Sequence, residues 1–321
     1  MLSKHRENVR RNFHLASAQS GKDSLLTLRL NLNNDLARMK HSILTTSTLC
    51  SPIVRSVLMT GVALGLAAAS ALATDRRFTY TYEPETLPAG AKEFEQWVTL
   101  GIGRTKNVGQ ENFNRWDFRE EFEYGVTDNY QIALYLNGRN TSYRDGAGND
   151  ISDFSFEGVS LENKYNLLNP ATKPVGVSLY LEGTYSGTEA EIEQKIIFGQ
   201  RHGDWKWALN LTHATEWEDN LHEVEGELEG TIGIARDLGK RWTLGLELRS
   251  ITKIPNYEEF ETTALYLGPT VSYRQDNWWA ALSVMPQVWG RDWDHSGDGH
   301  DNLDLAHNER VQIRLLFGID F

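Results

Sequence analysis

The sequence is nearly free of cysteine and of helical periodicity. Cys50 is the only cysteine among 321 residues, so a disulfide framework and Cys-x-x-Cys metal or redox motifs are excluded. Apolar residues at a spacing of 3.6 are almost missing after residue 73, which argues against a helical domain. The motifs H-E-x-x-H, G-x-S-x-G and the P-loop are also missing, so the sequence points to no common catalytic centre.

Basic residues are scarce in the larger part of the chain. Residues 74–321 contain 23 Lys and Arg against 41 Asp and Glu, a formal charge of −18. This charge repels phosphate and argues against a nucleic-acid partner. The first 73 residues have the opposite balance, with nine basic and three acidic residues. The composition therefore divides the chain near residue 73.

The division coincides with a pattern typical of an export signal. Lys40 and Arg55 precede an apolar run at 57–69, which is too short to span a bilayer comfortably, and Ala71-Leu72-Ala73 forms a small-residue cleavage pattern. We predict a signal peptide at 39–73, preceded by a non-native or disordered extension at 1–38. The alternative is a buried Ala-rich helix. Since Cys50 lies upstream of the apolar run, the mature chain would have no cysteine.

Residues after 73 alternate between apolar and polar. In one segment Trp116, Phe118, Phe122 and Tyr124 share one face, and Asp117, Arg119, Glu121 and Glu123 share the other. We count about twelve such segments of roughly ten to fourteen residues, against about five or six residues in a typical soluble strand. Strict alternation predicts β-strands with one apolar face and one charged face.

Short and long connections alternate between these strands. Tight turns are predicted near 127–129, 169–172, 202–204, 237–240 and 275–277, and longer connections at 105–112, 140–152, 186–189, 218–221, 254–259 and 291–307. This pattern is typical of a transmembrane antiparallel β-barrel, in which the closed sheet satisfies every backbone group inside the hydrocarbon. We predict an all-β barrel of about 12 strands at 92–321 in the bacterial outer membrane, after a periplasmic N-terminal segment at 74–91. A secreted sandwich or lipocalin-like barrel, with its apolar face inward, is the alternative.

Two stretches resemble known outer-membrane proteins. The terminal strand, which includes Phe317, Ile319 and Phe321, resembles the signal that the barrel assembly machinery recognises. Residues 77–90, 95–99, 121–128 and 133–137 resemble a family of outer-membrane proteins filed under a domain of unknown function. This second resemblance implies the barrel and supplies no activity.

Charged residues on the polar face are candidate pore-lining residues. They are Arg119, Glu121, Glu123, Glu182, Glu223, Glu225, Glu227, Glu229, Glu247, Arg249, Arg310 and Arg314. Ion pairs among them could fill a narrow barrel. Alternatively they could line a water-filled pore, where the excess of acids would favour cations.

An acidic stretch at 292–304 is a candidate Ca²⁺ loop. Asp292, Asp294 and Ser296 have the 1, 3, 5 spacing of an EF-type loop, and Asp298 follows the turn glycine. Leu303 occupies the position of the bidentate Glu, so an ordinary solvated loop is the alternative. A bound divalent ion there could also bridge lipopolysaccharide phosphates. We expect no other cofactor.

Histidine chemistry offers a remote enzymatic alternative. His213 precedes Thr215 by two positions on the apolar face, which is similar to the His and Ser of outer-membrane phospholipases, but Thr replaces Ser and Asn210 falls on the lumen face. We expect no catalysis and a passive channel for small polar solutes, in contact with membrane lipids and lipopolysaccharide. A structural or lipopolysaccharide-interacting barrel without a conducting pore is the second hypothesis, and a lipid hydrolase is the third.

Overall fold

The computed structural model describes residues 76–104, 111–293 and 302–321. They form twelve antiparallel strands joined in one closed barrel, in which β1 pairs with both β2 and β12. The strands are β1 Lys92–Ile102, β2 Glu111–Thr127, β3 Tyr130–Arg144, β4 Asp150–Leu168, β5 Gly176–Tyr185, β6 Ala190–His202, β7 Trp205–Glu218, β8 Glu223–Leu238, β9 Trp242–Pro255, β10 Thr262–Gln275, β11 Trp278–Asp292 and β12 Val311–Asp320. The predicted count of about twelve strands is confirmed, and β1 begins at Lys92.

The apolar face of the sheet points outward. Exposed on it are Phe122, Leu134, Leu136, Leu161, Leu179, Leu181, Leu211, Ile232, Ile234, Leu244, Leu246, Leu282 and Leu315. The alternate residues of the same strands are mostly polar and point into the lumen, where many are buried. An apolar band on the outside matches a lipid environment. The soluble alternative, which needed the apolar face inward, is therefore wrong.

Connections of two kinds alternate around the barrel. Five connections lie at one end, which we call the turn end: 128–129, 169–175, 203–204, 239–241 and 276–277. The described parts of the other six lie at the opposite end, the loop end: 103–104, 145–149, 186–189, 219–222, 256–261, and 293 with 302–310. The strands have 10 to 19 residues, and β4 is the longest. Since about ten residues cross a bilayer in a tilted strand, the longest strands extend beyond the apolar band.

An aromatic row follows the outer surface at the turn end. The ring centroids of Trp242 and Tyr273 are 4.8 Å apart, those of Tyr273 and Trp278 are 5.3 Å apart, and Phe317 continues the row at 6.0 Å from Trp278. Amphipathic rings favour the boundary between lipid and water. The carboxyl terminus is held beside this row, because the Phe321 N–H donates to the Lys92 carbonyl at 3.2 Å.

The predicted extension at 1–38 and signal peptide at 39–73 lie outside the described residues, and both stay predictions. The described residues include no helix of the length and hydrophobicity needed to cross a bilayer.

Candidate functional site

Residues 76–91, which we call the plug segment, lie inside the lumen near the turn end. Phe78 and Leu87 on this segment are fully buried. The backbone N–H groups of Thr79, Tyr80 and Thr81 donate to the Glu247 carboxylate of β9 at 2.8–2.9 Å. We predict a periplasmic segment at 74–91, and its residues 76–91 lie within the lumen, where side chains of the wall bind their backbone.

Further wall side chains bind the rest of this backbone. Asn210 of β7 accepts from the Tyr82 N–H at 2.6 Å and donates to the Tyr82 carbonyl at 2.9 Å. Asn166 of β4 donates to the Pro84 carbonyl at 2.7 Å. Gln131 of β3 accepts from the Leu87 N–H at 2.9 Å. Side chains from strands all around the barrel thus hold the backbone of the plug segment, which adds no strand to the sheet.

Buried ion pairs fix the charged residues of the plug segment. Arg77 binds Asp237 of β8 at 3.1 Å, and Lys206 of β7 binds Glu83 at 3.1 Å and Glu85 at 2.7 Å. The side chains of Arg77, Asp237, Lys206 and Glu83 are each under a tenth exposed. Removal of one partner from such a pair leaves an uncompensated charge.

Glycines on the wall leave room for the plug segment. A Cβ at Gly233 of β8 would lie 2.6 Å from the Phe78 ring, and one at Gly199 of β6 would lie 2.8 Å from Pro84. Any larger residue at these two positions would push against the segment. The inner surface of the wall is therefore shaped to the plug.

Arginines stack on the aromatic rings of the plug segment at mid-lumen. The Arg314 guanidinium lies 3.7 Å from the Tyr80 ring centroid, and that of Arg249 lies 4.6 Å from the same centroid. Arg76 lies 4.3 Å from the Tyr82 ring and 4.5 Å from that of Trp97. Such contacts are stronger where water is excluded.

At the loop end, residues 302–310 fold onto the inner wall. Glu309 accepts ion pairs from Arg104 and Arg115, each at 3.0 Å. Burial opposes the charge of Asp304, but hydrogen bonds with His307, Thr262 and Asn308 outweigh it and hold the pKa of Asp304 at about 2. The same hydrogen bond raises the pKa of His307 above its usual 6.5.

A cavity of about 340 Å³ opens within the lumen towards the loop end. Its arginines lie mainly on β2, β3 and β12, and its glutamates lie on β4, β7 and the entry to β6. The charged lining residues are Arg115, Asp117, Arg119, Arg139, Glu157, Glu189, Glu191, Glu216, Glu218, Arg249 and Arg314. The two arcs of opposite charge create a field across the cavity.

The predicted pore-lining residues fall into three groups. Glu121, Glu123, Glu182 and Glu247 are buried in the lumen, whereas Glu223 and Arg310 are exposed at strand ends. Arg119, Glu225, Glu227, Glu229, Arg249 and Arg314 lie between these extremes. Several form ion pairs, as in Arg119–Glu182 at 3.3 Å and Arg249–Glu229. Their role in solute passage stays a prediction.

Other predicted site residues are only partly described. Asp292 ends β11, but Asp294, Ser296 and Asp298 of the candidate Ca²⁺ loop lie outside the described residues. Phe317 and Ile319 lie on β12 and Phe321 follows it, which leaves their recognition by assembly machinery a prediction. His213 points outward, and its Nε2 lies 3.1 Å from the Tyr257 hydroxyl.

The comparisons with known proteins agree with this architecture. A family of unknown function, DUF6662, matches residues 70–198 and 202–321. The chain belongs to this family. Among curated proteins none matches the sequence significantly.

Solved structures show the same fold class. An outer membrane channel from Pseudomonas putida F1 is 10% identical, with a TM-score of 0.53 over 74% of this chain and 98% of the channel. The KdgM porin, at 10% identity, has a TM-score of 0.44 over 71% of this chain and 99% of the porin. The NanC porin has 7% identity and a TM-score of 0.44 over 72% and 99%. This chain thus has the fold of an outer-membrane barrel.

Proposed function

We propose that the protein is a passive outer-membrane channel for small polar solutes whose lumen the plug segment closes. The supporting observation is a pair of charged cavities towards opposite ends of the lumen, one of which the plug segment lines. The 340 Å³ cavity faces the loop end, and a cavity of about 550 Å³, lined by Arg77, Glu85 and Lys206 among others, faces the turn end. Both are lined by charged groups, which suit water and polar solutes.

The way in which the plug segment is bound supports its displacement. Its backbone from Thr79 to Leu87 bonds to carboxylate and amide side chains of the wall, and backbone bonds to a strand occur only at Gly90 and Ala91, which bond to Gly125 of β2. If the segment leaves, water can take over these polar groups and the sheet stays intact. The excess of carboxylates around the loop-end cavity would favour cations over anions.

A structural or lipopolysaccharide-interacting barrel is the second candidate, and the buried ion pairs between plug and wall favour it. Planar-bilayer recording from the refolded mature chain separates the two. We expect ohmic steps that occur in bursts as the plug segment moves. A correctly folded barrel that never conducts would contradict the channel and favour the structural hypothesis. The fold is shared with a protein described as an outer membrane channel, which makes conduction the first activity to test.

The lipid hydrolase remains a third candidate, on the outward His213 alone. It requires fatty-acid release from phospholipid by the folded barrel and loss of this release in His213→Ala. Equal rates for the two proteins would end this hypothesis.

A further inference from the structure

Five glutamates crowd one side of the lumen at the turn end. Two are on β1, two on β2 and one on β4, and all are buried: Glu93, Glu95, Glu121, Glu123 and Glu162. The strand register places Glu93 opposite Glu123 and Glu95 opposite Glu121. Like charges directly opposite each other destabilise a sheet. Some other group must therefore offset this arrangement.

The small residue Ala133 brings the β4 glutamate into the same cluster. On β3 it lies between Glu123 and Glu162 in the register of the three strands. Since a methyl group fills little of the space, the carboxylates of Glu123 and Glu162 approach across it. Ligand oxygens of Glu121, Glu123 and Glu162 lie within 4.8 Å of one another.

Neighbouring donors satisfy part of the cluster. Arg76 binds Glu95 at 3.4 Å, and the Trp97 indole N–H donates to Glu95 at 2.6 Å. The Trp279 indole donates to Glu93. Arg76 therefore offsets one of the two negative charges on the β1 side of the cluster.

Two further donors serve the β4 side. The Tyr135 hydroxyl and the Gln131 amide both donate to Glu162. Each of these groups is neutral and leaves the charge of Glu162 unchanged.

Glu121 is the exception within the part of the chain that the structure describes. Its side chain is 0% exposed, and neither of its oxygens has a hydrogen-bond partner. A buried carboxylate without a donor is strongly unfavourable. Arg76 and Lys164 bring two positive charges against five carboxylates, which leaves a local excess of negative charge. A bound cation would supply the partner that Glu121 lacks.

We propose that Glu121, Glu123 and Glu162 bind a Ca²⁺ ion inside the lumen. Ca²⁺ binds carboxylate oxygens at about 2.3–2.6 Å in irregular geometries, so oxygens on opposite sides of the ion lie about 5 Å apart. The ligand oxygens of the three glutamates lie within 4.8 Å of one another, which is close enough for all three to reach one such ion. Mg²⁺ requires a near-ideal octahedron and shorter bonds. The turn-end cavity, which Glu123 and Lys164 line, offers an entry path.

The site differs from the candidate loop at 292–304 in place and in ligands. It also differs from the channel proposal, because a closed structural barrel could bind the same ion. Failure of the calcium test therefore leaves the conductance test untouched.

Terbium luminescence tests the site directly, because Tb³⁺ replaces Ca²⁺ and emits when a nearby indole is excited. Trp97 and Trp279 both donate to the cluster, so Tb³⁺ bound there should be sensitised and Ca²⁺ should displace it. We expect Glu121→Gln, which keeps the shape and removes the charge, to weaken binding at least about tenfold.

A loop variant provides the matched control, because Trp293 lies beside the other candidate site. Asp294→Asn combined with Asp298→Asn should leave the Glu121-dependent signal unchanged. Wild-type affinity in Glu121→Gln, or loss of all binding in the loop variant, would overturn the proposal.

Resistance to unfolding gives a second readout, because calcium should reverse which of the two proteins, wild type or Glu121→Gln, is the more stable. In calcium-free buffer Glu121→Gln should be more resistant to unfolding than wild type, because it removes charge repulsion. With calcium present, wild type should become the more resistant protein. Equal stabilisation of both proteins by calcium would contradict the site, as would a variant that is weaker in both buffers. Glu162→Gln is the alternative variant if Glu121→Gln does not fold.

Discussion

The two halves of the lumen have the same wall and different contents. At the turn end the plug segment lies inside the lumen, bonds to Glu247, Asn210 and Gln131, and lines a cavity of about 550 Å³. At the loop end the wall encloses a charged cavity of about 340 Å³. The sheet therefore sets the width of the lumen, and a segment outside the sheet decides whether its turn-end half is closed.

The bonds of the two occupants also differ. The plug segment is held in the lumen by carboxylate and amide side chains of the strands. Residues 302–310, in contrast, belong to the connection between β11 and β12, so the chain anchors them to a strand on both sides. With cleavage after Ala73, as the sequence predicts, the plug segment is attached to the barrel only through Ala91 to β1, and it can leave the lumen as a unit. A loop attached at both ends can only shift. We expect control of conduction to lie with the plug segment.

Deletion of residues 76–90 should have the largest effect on this contrast. Without these residues both halves of the lumen would contain water, because the polar wall groups at the turn end would no longer bind the plug segment. Bilayer recordings should change from intermittent to continuous conduction with a larger step. Unchanged conductance in a folded deletion variant would show that the plug segment does not limit flow.

Glu247→Gln should have the next largest effect. Three backbone N–H groups of the plug segment donate to this carboxylate, and a hydrogen bond to a charged group contributes about 1.5–3 kcal/mol. A loss of about 3 kcal/mol would raise the open population about 100-fold. Open probability in bilayers is the measurement.

Asp150→Asn is the matched control for that experiment. Asp150 is an exposed carboxylate that accepts from Arg144 at 2.8 Å near the tips of β3 and β4. It lies at the loop end, away from the plug segment. Its open probability should equal that of wild type, and an equal rise in both variants would mean that the plug contacts are not the cause.

At the loop end, the contacts of residues 302–310 should depend on pH, with a smaller effect than the two changes to the plug segment. The pKa of Asp304 is about 2 in the fold against 3.8 for the free group, so its stabilisation is present above about pH 4 and is lost as pH falls towards 2. The pKa of His307 is raised above 6.5, so its stabilisation is complete below pH 6.5 and is lost as pH rises through the raised value. The packing of residues 302–310 against the inner wall, which we call closure of this loop, should be most stable between about pH 4 and 6.5.

Hydrogen exchange measures this closure, because the Ala306 and His307 N–H groups donate to Asp304. Their protection factors, corrected for intrinsic exchange, should be highest inside that window. Asp304→Asn should remove the dependence on pH. A flat profile in wild type would contradict the assigned contacts.

The smallest effect should be on the preference of the channel for cations, in the variant Glu216→Gln. Glu216 lies on the carboxylate arc of the loop-end cavity, and Glu216→Gln removes one charge from a hydrated wall. Reversal potentials in a salt gradient should show a drop of about threefold in preference for cations. A variant with unchanged selectivity would place the filter elsewhere.

Much of the barrel could be predicted from the sequence. Alternation such as Trp116, Phe118 and Phe122 against Asp117 and Arg119 depends only on the period of a strand, so the count of twelve and the outward apolar face follow directly. The cleavage pattern and loop alternation add the direction of the chain. The burial of Glu121 and Glu247 also follows from their place in the alternation.

The plug segment could not be predicted in this way. Its stretch Arg77-Phe78-Thr79-Tyr80 also alternates, but its contacts join residues far apart in sequence, as Thr79 and Glu247. No local preference encodes such a contact. Gly199 and Gly233, at lumen-facing positions where side chains are expected, were the available hint. Since glycine weakens a strand, its presence there indicated close packing against the wall.

A disulfide across the plug contact tests the central claim most directly. Thr79 Oγ1 lies 2.6 Å from Ser283 Oγ of β11, and the chain has no cysteine after Cys50. In the mature protein, Thr79→Cys combined with Ser283→Cys should therefore form one cross-link. We expect the oxidised barrel to be silent in planar bilayers and to conduct after reduction. Failure to cross-link in the folded barrel, or identical conductance before and after reduction, would contradict a lumen closed by residues 76–91.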